Sequence, residues 1–389
     1  MPHRFDTDLI HAGEMTPRPD GAVVMPIYQS ATFEYGGEGS SYHDLKYIRL
    51  NNTPNHRVLH AKLAALEGGE AALVTASGMA AISTALLAVL KPGDHLLVQE
   101  SLYGGTHDFV QGDLVELGIA VTAIDPAAPA TWAGKVTPKT KAIYVETISN
   151  PLMRVPDLPA VVEFARARKL LSLIDNTFAS PLVYPAARLG FDLSLHSATK
   201  YLNGHSDIVA GAVIGRADLV TKTRHKLNHL GGALDPHACF LLHRGLKTLG
   251  VRMRHQMVSA LKVARFLEEQ PAVAAVNHPG LPSHPNHALA KRDLQGFGAM
   301  LSFELTGGAA AAAELMQRLK LPICAPSLGG VESLVTRPST TSHSGMSAEA
   351  RKKMGVSDGL IRYSVGIEDP DDLIEDLEAA LRGSGGKGR

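Results

Sequence analysis

One polar stretch of the chain brings several chemically reactive side chains together. The segment 192–211 begins with an alternating apolar run, continues with Ser197, Thr199 and Lys200, and leads into a second apolar run at 208–214. The alternation predicts a short strand, so that Lys200 lies at a strand end in a loop held between two buried strands. Loops of this kind often carry functional side chains.

Two chemistries fit this spacing. In the first, Lys200 forms a Schiff base with an aldehyde cofactor, and Ser197 and Thr199 offer hydroxyls to the phosphate of that cofactor. In the second, Ser197 is the acyl-transfer nucleophile of a Ser-x-x-Lys motif, which needs Ser-Asp-Asn and Lys-Thr-Gly partners that do not occur in the chain. The first chemistry is therefore favoured, and its ordinary competitor is that Lys200 is a solvated surface lysine.

The surrounding sequence predicts the elements that position this loop. Strands are predicted at 71–75, 95–99, 121–124, 142–145 and 170–174, and helices at 56–67, from residue 79, at 106–117 and at 158–169. Strands and helices that alternate at this spacing predict a largely parallel α/β sheet, whose ligands bind at the carboxyl ends of the strands.

Three polar residues fall at such strand ends, namely Tyr103, Asn150 and Asp175. A pyridine-type cofactor needs an anion beside its ring nitrogen, and Asp175 directly ends an apolar strand. Tyr103 can stack on the ring, and Asn150 can donate a hydrogen bond to the ring oxygen. The alternatives are that Asp175 caps a helix and that Tyr103 packs in a turn.

Two further segments indicate anion binding. Gly78 and Met79 follow a predicted strand and open a helix, where free backbone N–H groups favour a phosphate. Tyr47 and Arg49 share one face if the chain is extended, which also suits a phosphate, although a solvated charge explains Arg49 equally well.

The second half of the chain predicts a linker helix and a substrate contact. Residues 233–269 form a long amphipathic helical pattern that is interrupted near Gly245, and we interpret His237, Cys239 and His243 within it as helix-surface residues and not as a metal site. Arg362 alternates with apolar neighbours in a predicted strand. A substrate carboxylate would give it a bidentate partner.

Composition excludes several classes of function. The 389 residues carry 38 basic and 38 acidic side chains, so neither nucleic acid nor an anionic membrane is an expected partner. Two cysteines exclude a disulfide framework and favour a reducing compartment. The N-terminus has no apolar signal region, and the longest apolar run, 79–90, is too short to span a bilayer, so we expect a cytoplasmic protein.

The order of motifs along the chain resembles the pyridoxal-phosphate (PLP) trans-sulfuration enzymes of cysteine and methionine metabolism. This family includes cystathionine β-lyase, γ-lyase and γ-synthase. The resemblance runs from about residue 10 to 381. The motifs that carry it are SGMAA at 77–81, LYGGT at 102–106, ETISNP at 146–151, IDNTFASP at 174–181, SATKYLNGHSD at 197–207, RGLKTL at 244–249, SLGGVESL at 327–334 and SDGLIRYSVGIED at 357–369.

The resemblance implies an α/β fold-type I, aminotransferase-like architecture with a mostly parallel sheet in the large domain and a smaller C-terminal α/β domain. On the basis of this resemblance, we divide the chain into an arm that contacts a neighbouring subunit (1–60), a PLP-binding domain (61–250) and a substrate-binding domain (251–389). A homotetramer with shared active sites and a small amino-acid substrate are also implied.

The resemblance also implies a role for each candidate residue. Lys200 would form the Schiff base, Asp175 would bind the pyridinium nitrogen, and Tyr103 would stack on the ring and handle protons. The remaining roles are phosphate binding by Gly78, Met79, Ser197 and Thr199, with Tyr47 and Arg49 from the neighbouring subunit, and binding of the substrate carboxylate by Arg362, Asn150 and Ser327.

Departures from the family pattern bear on the reaction. The family's Asn-Pro-Thr is Asn52-Thr53-Pro54 here, Pro326 stands where many γ-synthases and γ-lyases carry glutamate, Asp108 stands where many carry arginine, and Gly105 stands where methionine γ-lyases usually carry cysteine. These differences favour a carbon–sulfur lyase that acts on cystathionine or a related sulfur amino acid. The alternatives are a γ-synthase or homoserine-ester sulfhydrylase, and a PLP-binding regulator without activity.

Overall fold

The structure, a computed structural model, describes residues 3–35, 37, 45–345 and 347–382. A seven-stranded sheet forms the centre of the first half of the chain. Its strands are β1 (Ala71–Thr75), β2 (His95–Gln99), β3 (Ala120–Ile124), β4 (Thr140–Glu146), β5 (Leu171–Asp175), β6 (Leu193–His196) and β7 (Gly211–Gly215). The strand order is β1-β7-β6-β5-β4-β2-β3, and only β7 runs antiparallel to its neighbours. The largely parallel sheet expected from the alternation is therefore confirmed.

Helices cover both faces of this sheet because its strands are apolar on both sides. Leu73 and Val74, neighbours in β1, are both fully buried but pack into two different hydrophobic clusters. Both faces are buried in this way when helices connect parallel strands. The helices of this part are α1 (Phe5–His11), α2 (Pro54–Glu67), α3 (Gly78–Val89), α4 (Gly104–Asp108), which continues through a π-helical turn (Phe109–Asp113) into α5 (Leu114–Glu116), α6 (Leu158–Arg168), α7 (Ser180–Val183), α8 (Ala217–Leu230) and α9 (Pro236–Leu246).

A smaller five-stranded sheet occupies the C-terminal part of the chain. Its strands are β8 (Val273–Asn277), β9 (Met300–Leu305), β10 (Ile323–Cys324), β11 (Leu334–Thr336) and β12 (Leu360–Ser364), in the order β10-β11-β12-β9-β8. The helices of this part are α10 (Leu249–Glu268), α11 (His287–Asp293), α12 (Gly308–Arg318), α13 (Ala348–Lys353) and α14 (Pro370–Arg382).

The N-terminal region is more ordered than its sequence pattern predicted. Instead of a wholly extended arm, it contains α1, and α2 already begins at Pro54. The buried Lys62 explains why α1 packs, since its Nζ donates to the carbonyl oxygens of Leu9 and Ile10, 3.0 and 3.2 Å away. Leu9 itself is buried in the main core.

The helical stretch 233–269 is interrupted between α9 and α10, close to the predicted break at Gly245. The interpretation of its three metal-ligand types as surface residues is correct for His237 but wrong for Cys239 and His243, which are buried. Residues four apart lie on one helix face, and this face of α9 packs inward, where His243 Nε2 lies 2.9 Å from Glu14 Oε1. Among the described residues no group of three or more ligand side chains could hold a metal ion.

Candidate active site

A cavity of about 720 Å³ lies at the carboxyl ends of the parallel strands, between the large sheet and the C-terminal sheet. This is where parallel α/β sheets bind ligands. Ten of the twelve residues singled out in the sequence line it: Gly78, Met79, Tyr103, Asn150, Asp175, Ser197, Thr199, Lys200, Ser327 and Arg362. Residues that lie up to 284 positions apart in the chain, Gly78 and Arg362, thus face one space.

Lys200 lies in the turn that follows β6, as expected. Its Nζ donates to Ser327 Oγ, 2.6 Å away. Burial, and to a smaller extent the positive charge of Arg362, lowers the pKa of Lys200 from its usual value to about 8. About one tenth of this amine is therefore uncharged at pH 7, far more than for an ordinary lysine, and the uncharged amine is the form that is a nucleophile or a base.

Asp175 ends β5 and is 9% exposed. Its Oδ1 accepts a hydrogen bond from the backbone N–H of Thr177 at 2.9 Å, so the carboxylate caps the following turn while it lines the cavity. Burial raises the pKa of Asp175, whereas the Thr177 hydrogen bonds and the charge of His196 act in the opposite direction. A cationic ring nitrogen in the cavity would further favour the charged carboxylate.

The end of the cavity near α3 is suited to a phosphate. Ser77 caps the N-terminus of α3, where its side chain accepts a hydrogen bond from Ala80 N at 3.0 Å. The first residues of α3 line the cavity, so their free N–H groups are available to an anion. A Cβ atom on Gly78 would lie 2.7 Å from Ser197 Cβ, so only glycine allows α3 to approach the Lys200 loop this closely. Thr199 lines the same space, and its Oγ1 also donates to Ala210 O at 3.1 Å, a structural contact that the sequence did not indicate.

The opposite end of the cavity contains a buried guanidinium. Arg362 in β12 donates from Nη2 to Ser327 O at 2.8 Å and from Nη1 to Asn150 Oδ1 at 3.3 Å. Burial lowers the pKa of Arg362 to about 10. Ser327 adopts a positive φ of 89°, unusual for a residue with a side chain, and its carbonyl is held by Arg362 while its hydroxyl meets Lys200. Strained residues of this kind cluster at functional sites.

Tyr103 is the N-cap residue directly before α4, lines the cavity and is 41% exposed. Its backbone N–H donates to Glu146 Oε1 at 2.5 Å. The ring is closely backed by Gly105, where a Cβ atom would lie 2.8 Å from Tyr103 Cε1. A glycine at this position therefore leaves room for the ring.

Tyr47 and Arg49 do not line the cavity of their own chain. Arg49 Nη1 donates to Asn228 O at 2.9 Å, and its guanidinium lies 5.7 Å from the centre of the Tyr47 ring. Their expected contact with the phosphate bound by a neighbouring subunit stays a prediction.

Five polar residues of the cavity were not predicted from the sequence as site residues, namely Ser77, Glu146, Thr177, Thr341 and Ser342. Glu146 had a recognisable signal, because it is a carboxylate at the end of an apolar strand, as Asp175 is. Thr341 and Ser342 belong to an irregular polar segment after the short 3₁₀ helix Pro338–Thr340, which has no periodicity to mark it.

These features together define a class of enzyme: an α/β protein with a buried, partly uncharged lysine, a buried carboxylate and an anion site around one cavity. The family model described as "Cys/Met metabolism PLP-dependent enzyme" matches residues 6–382. The chain belongs to this family of PLP-dependent enzymes.

Relatives with different activities are about equally similar to the chain. L-methionine gamma-lyase of Pseudomonas putida is 41% identical, with 98% of each chain covered. Cystathionine beta-lyase of Lactococcus lactis is 41% identical, with 96% of this chain and 98% of the relative covered. The structure of cystathionine gamma synthase from Xanthomonas oryzae in complex with cystathionine superimposes with a TM-score of 0.94 at 41% identity, covering 99% of each chain.

The comparisons confirm the fold-type I architecture, the PLP dependence and the family expected from the motifs. The cavity independently fits this cofactor, because it offers an amine, a carboxylate, an aromatic ring and a helix N-terminus. Within the described ranges, no helix is both long and apolar enough to cross a bilayer.

Proposed function

We propose that this chain is a carbon–sulfur lyase that acts on cystathionine or a related sulfur amino acid by β- or γ-elimination. The activities of the relatives above support this class of reaction, since two of the three are lyases of sulfur amino acids. The side chains that such a reaction needs line the cavity.

One arrangement carries the proposal. Arg362 binds the carbonyl oxygen of Ser327, and the hydroxyl of the same serine lies 2.6 Å from Lys200 Nζ. We assign Arg362, Ser327 and Asn150 to the substrate carboxylate, because a guanidinium binds a carboxylate through two parallel hydrogen bonds. A carboxylate bound there brings the adjacent α-carbon next to an amine that can take its proton.

The other residues have the following proposed roles. PLP, when bound, accepts the electron pair that remains when the α-proton leaves. Asp175 would face its ring nitrogen, Tyr103 would cover its ring, and its phosphate would lie among Gly78, Met79, Ser197 and Thr199, with Tyr47 and Arg49 of a neighbouring subunit. Lys200, partly uncharged at neutral pH, would hold the cofactor and then move the proton.

A second candidate function is the replacement reaction of a γ-synthase, and the similarity to the Xanthomonas oryzae enzyme favours keeping it open. Pro326 lines the cavity and supplies neither a charge nor an N–H group. Loss of a hydrogen bond to a charged group typically costs about 1.5–3 kcal/mol, or roughly one to two decades in rate constant. We therefore expect elimination from cystathionine to be faster than γ-replacement of an acylated homoserine by cysteine.

Product analysis tests the proposal. Purified enzyme with PLP is offered cystathionine, methionine, and an acylated homoserine with cysteine, and the keto acid that is released is identified. Pyruvate would indicate β-elimination and 2-oxobutyrate γ-elimination. Efficient synthesis of cystathionine without either keto acid would contradict the lyase proposal.

We further propose a homotetramer whose active sites are shared between subunits. Its support is a group of apolar side chains in the N-terminal region that the single chain leaves exposed: Val23 at 76%, Val24 at 49% and Ile27 at 40%. A second copy could cover them. We also propose domain boundaries near residues 60 and 250, of which the second falls at the start of α10, between the two sheets.

We propose the cytoplasm as the location of the protein. Cys324 is an exposed free thiol and Cys239 a buried one, which suits a reducing compartment.

A further inference from the structure

Glu146 is a second buried acid at the candidate active site. It ends β4 and lies directly beside Asp175, which ends the neighbouring parallel strand β5. Both side chains line the cavity, with exposures of 4% and 9%. Two carboxyl groups are thus held side by side in a place that water reaches poorly.

The two oxygens of Glu146 bind the backbone of two other residues of the cavity. Oε1 accepts the N–H of Tyr103 at 2.5 Å, and Oε2 accepts the N–H of Asn150 at 3.4 Å. Tyr103 carries the ring proposed to cover the cofactor, and the side chain of Asn150 binds Arg362. Glu146 therefore connects the proposed cofactor end of the cavity with the proposed carboxylate end.

The surroundings of the two acids favour the uncharged form of Glu146 more strongly than that of Asp175. Burial and the negative charge of Asp175 raise the pKa of Glu146 well above its usual range, and together they outweigh the two N–H bonds from Tyr103 and Asn150, which act in the opposite direction. Burial also raises the pKa of Asp175, but the Thr177 hydrogen bonds and the charge of His196 oppose this shift and favour its charged form. Another titratable neighbour is Tyr144 on β4, whose pKa is raised by burial and by both acids, so it adds no positive charge.

We propose that Glu146 is a positioning residue that works as an uncharged acid. It holds the backbone of Tyr103 and Asn150 in place and leaves Asp175 as the carboxylate that faces the ring nitrogen. A charged Glu146 would compete with Asp175 for the ring charge, and like charges this close disfavour each other. This proposal rests on the proposed roles of Asp175 and Tyr103 but not on which sulfur substrate the enzyme uses.

The test compares the PLP-loaded wild-type enzyme with Glu146→Gln, Glu146→Asp and Glu146→Ala. Glutamine has the shape of the uncharged acid and keeps the acceptor for Tyr103, so PLP affinity, kcat and KM should stay within about threefold of wild type. Alanine removes both contacts and should weaken PLP affinity and lower kcat by about tenfold to a hundredfold. Aspartate is too short to keep both contacts and should resemble alanine.

Thermal unfolding against pH gives a readout independent of turnover. The folded-state pKa of Glu146 is raised above its unfolded-state pKa. The protonated group therefore contributes its full stabilisation below the unfolded-state pKa, and this stabilisation is lost as the pH rises towards the folded-state pKa. Glu146→Gln does not lose this stabilisation. Its melting temperature should therefore increase relative to that of the wild type as the pH rises from about 4 to 8. Glu163→Gln, on the exposed face of α6, is the matched control and should show no such trend.

The outcomes separate this inference from the proposed site. If glutamine is as damaging as alanine while aspartate retains activity, Glu146 works as an anion and the inference is overturned. The same holds if alanine leaves PLP affinity and kcat unchanged. Asp175→Asn serves as the reference: if it leaves the pH dependence of the cofactor absorbance unchanged, the proposed site itself fails.

Discussion

The chemistry of single residues in this protein is set by burial more than by residue type. Lys200 and Arg362 are both cations in the cavity, and burial is the largest cause of the lowered pKa of each. Their mutual repulsion acts in the same direction on Lys200. Two buried positive charges close together are unfavourable in free energy, and loss of the Lys200 proton removes part of this unfavourable interaction.

The proposed role of Lys200 is tested by its removal. Lys200→Ala should lose the visible absorbance of the bound cofactor after dialysis, because Lys200 is the one lysine among the described residues that line the cavity. Lys262→Ala, which alters an exposed lysine of α10, is the control and should keep the absorbance. An unchanged spectrum in Lys200→Ala would rule out the assignment.

The lowered pKa of Lys200 predicts the pH dependence of cofactor uptake. Only the uncharged amine adds to an aldehyde, and the pKa of Lys200 is about 8. The rate at which wild-type apoenzyme captures PLP should therefore rise up to about pH 8 and then level off. Stopped-flow absorbance measures this rate, and a continued rise past pH 10 would show that the amine is not shifted.

At the scale of elements, the site depends on how closely α3 approaches the loop after β6. Apolar residues of α3 pack with those of β1 in one hydrophobic cluster against the large sheet. Because α3 begins with a glycine, no side chain at that position holds the loop after β6 away. The helix N-terminus and the Ser197 hydroxyl then share one side of the cavity.

Gly78→Ala should separate these two elements. The added Cβ atom would lie 2.7 Å from Ser197 Cβ, and such overpacking typically costs about 1–3 kcal/mol. We expect PLP affinity, measured by equilibrium dialysis, to fall by about tenfold or more. Gly112→Ala is the matched control, since its Cβ would meet no atom within 4 Å. Equal affinities in the two variants would exclude α3 from the phosphate site.

At the scale of the whole molecule, Tyr47 and Arg49 point to a neighbour. Both lie away from the cavity of their own chain, whereas ten other candidate residues line it. A role for these two residues at an active site therefore requires a second subunit.

Mixing inactive variants tests the shared site. Arg49→Ala and Lys200→Ala subunits, once exchanged, should regain intact sites, about one quarter of the total if two-fold dimers pair at random. Arg362→Ala with Lys200→Ala is the control: both residues line one cavity of one chain, so this mixture should stay inactive. If the first mixture also stays inactive although subunit exchange is demonstrated, the N-terminal region serves its own subunit.

The sequence by itself determined the features that depend on neighbouring residues. The strands β1 and β2 were predicted to the residue and most other elements of the large sheet within one or two, because alternation and helical spacing are local patterns. Lys200 and Asp175 could be picked out because each follows an apolar strand directly. The helix α14 has the same kind of local pattern, with Leu373, Leu377 and Leu381 at helical spacing.

Only the tertiary structure decided which distant residues meet. Glu146 lies beside Asp175 because β4 and β5 pair in a particular register, which no local pattern specifies. The burial of Cys239 and His243 depends on what packs against α9, and the place of Arg49 depends on a contact with Asn228, 179 residues away. The local sequence of each segment does not specify which distant segment it will contact. These contacts are therefore visible only in the folded chain.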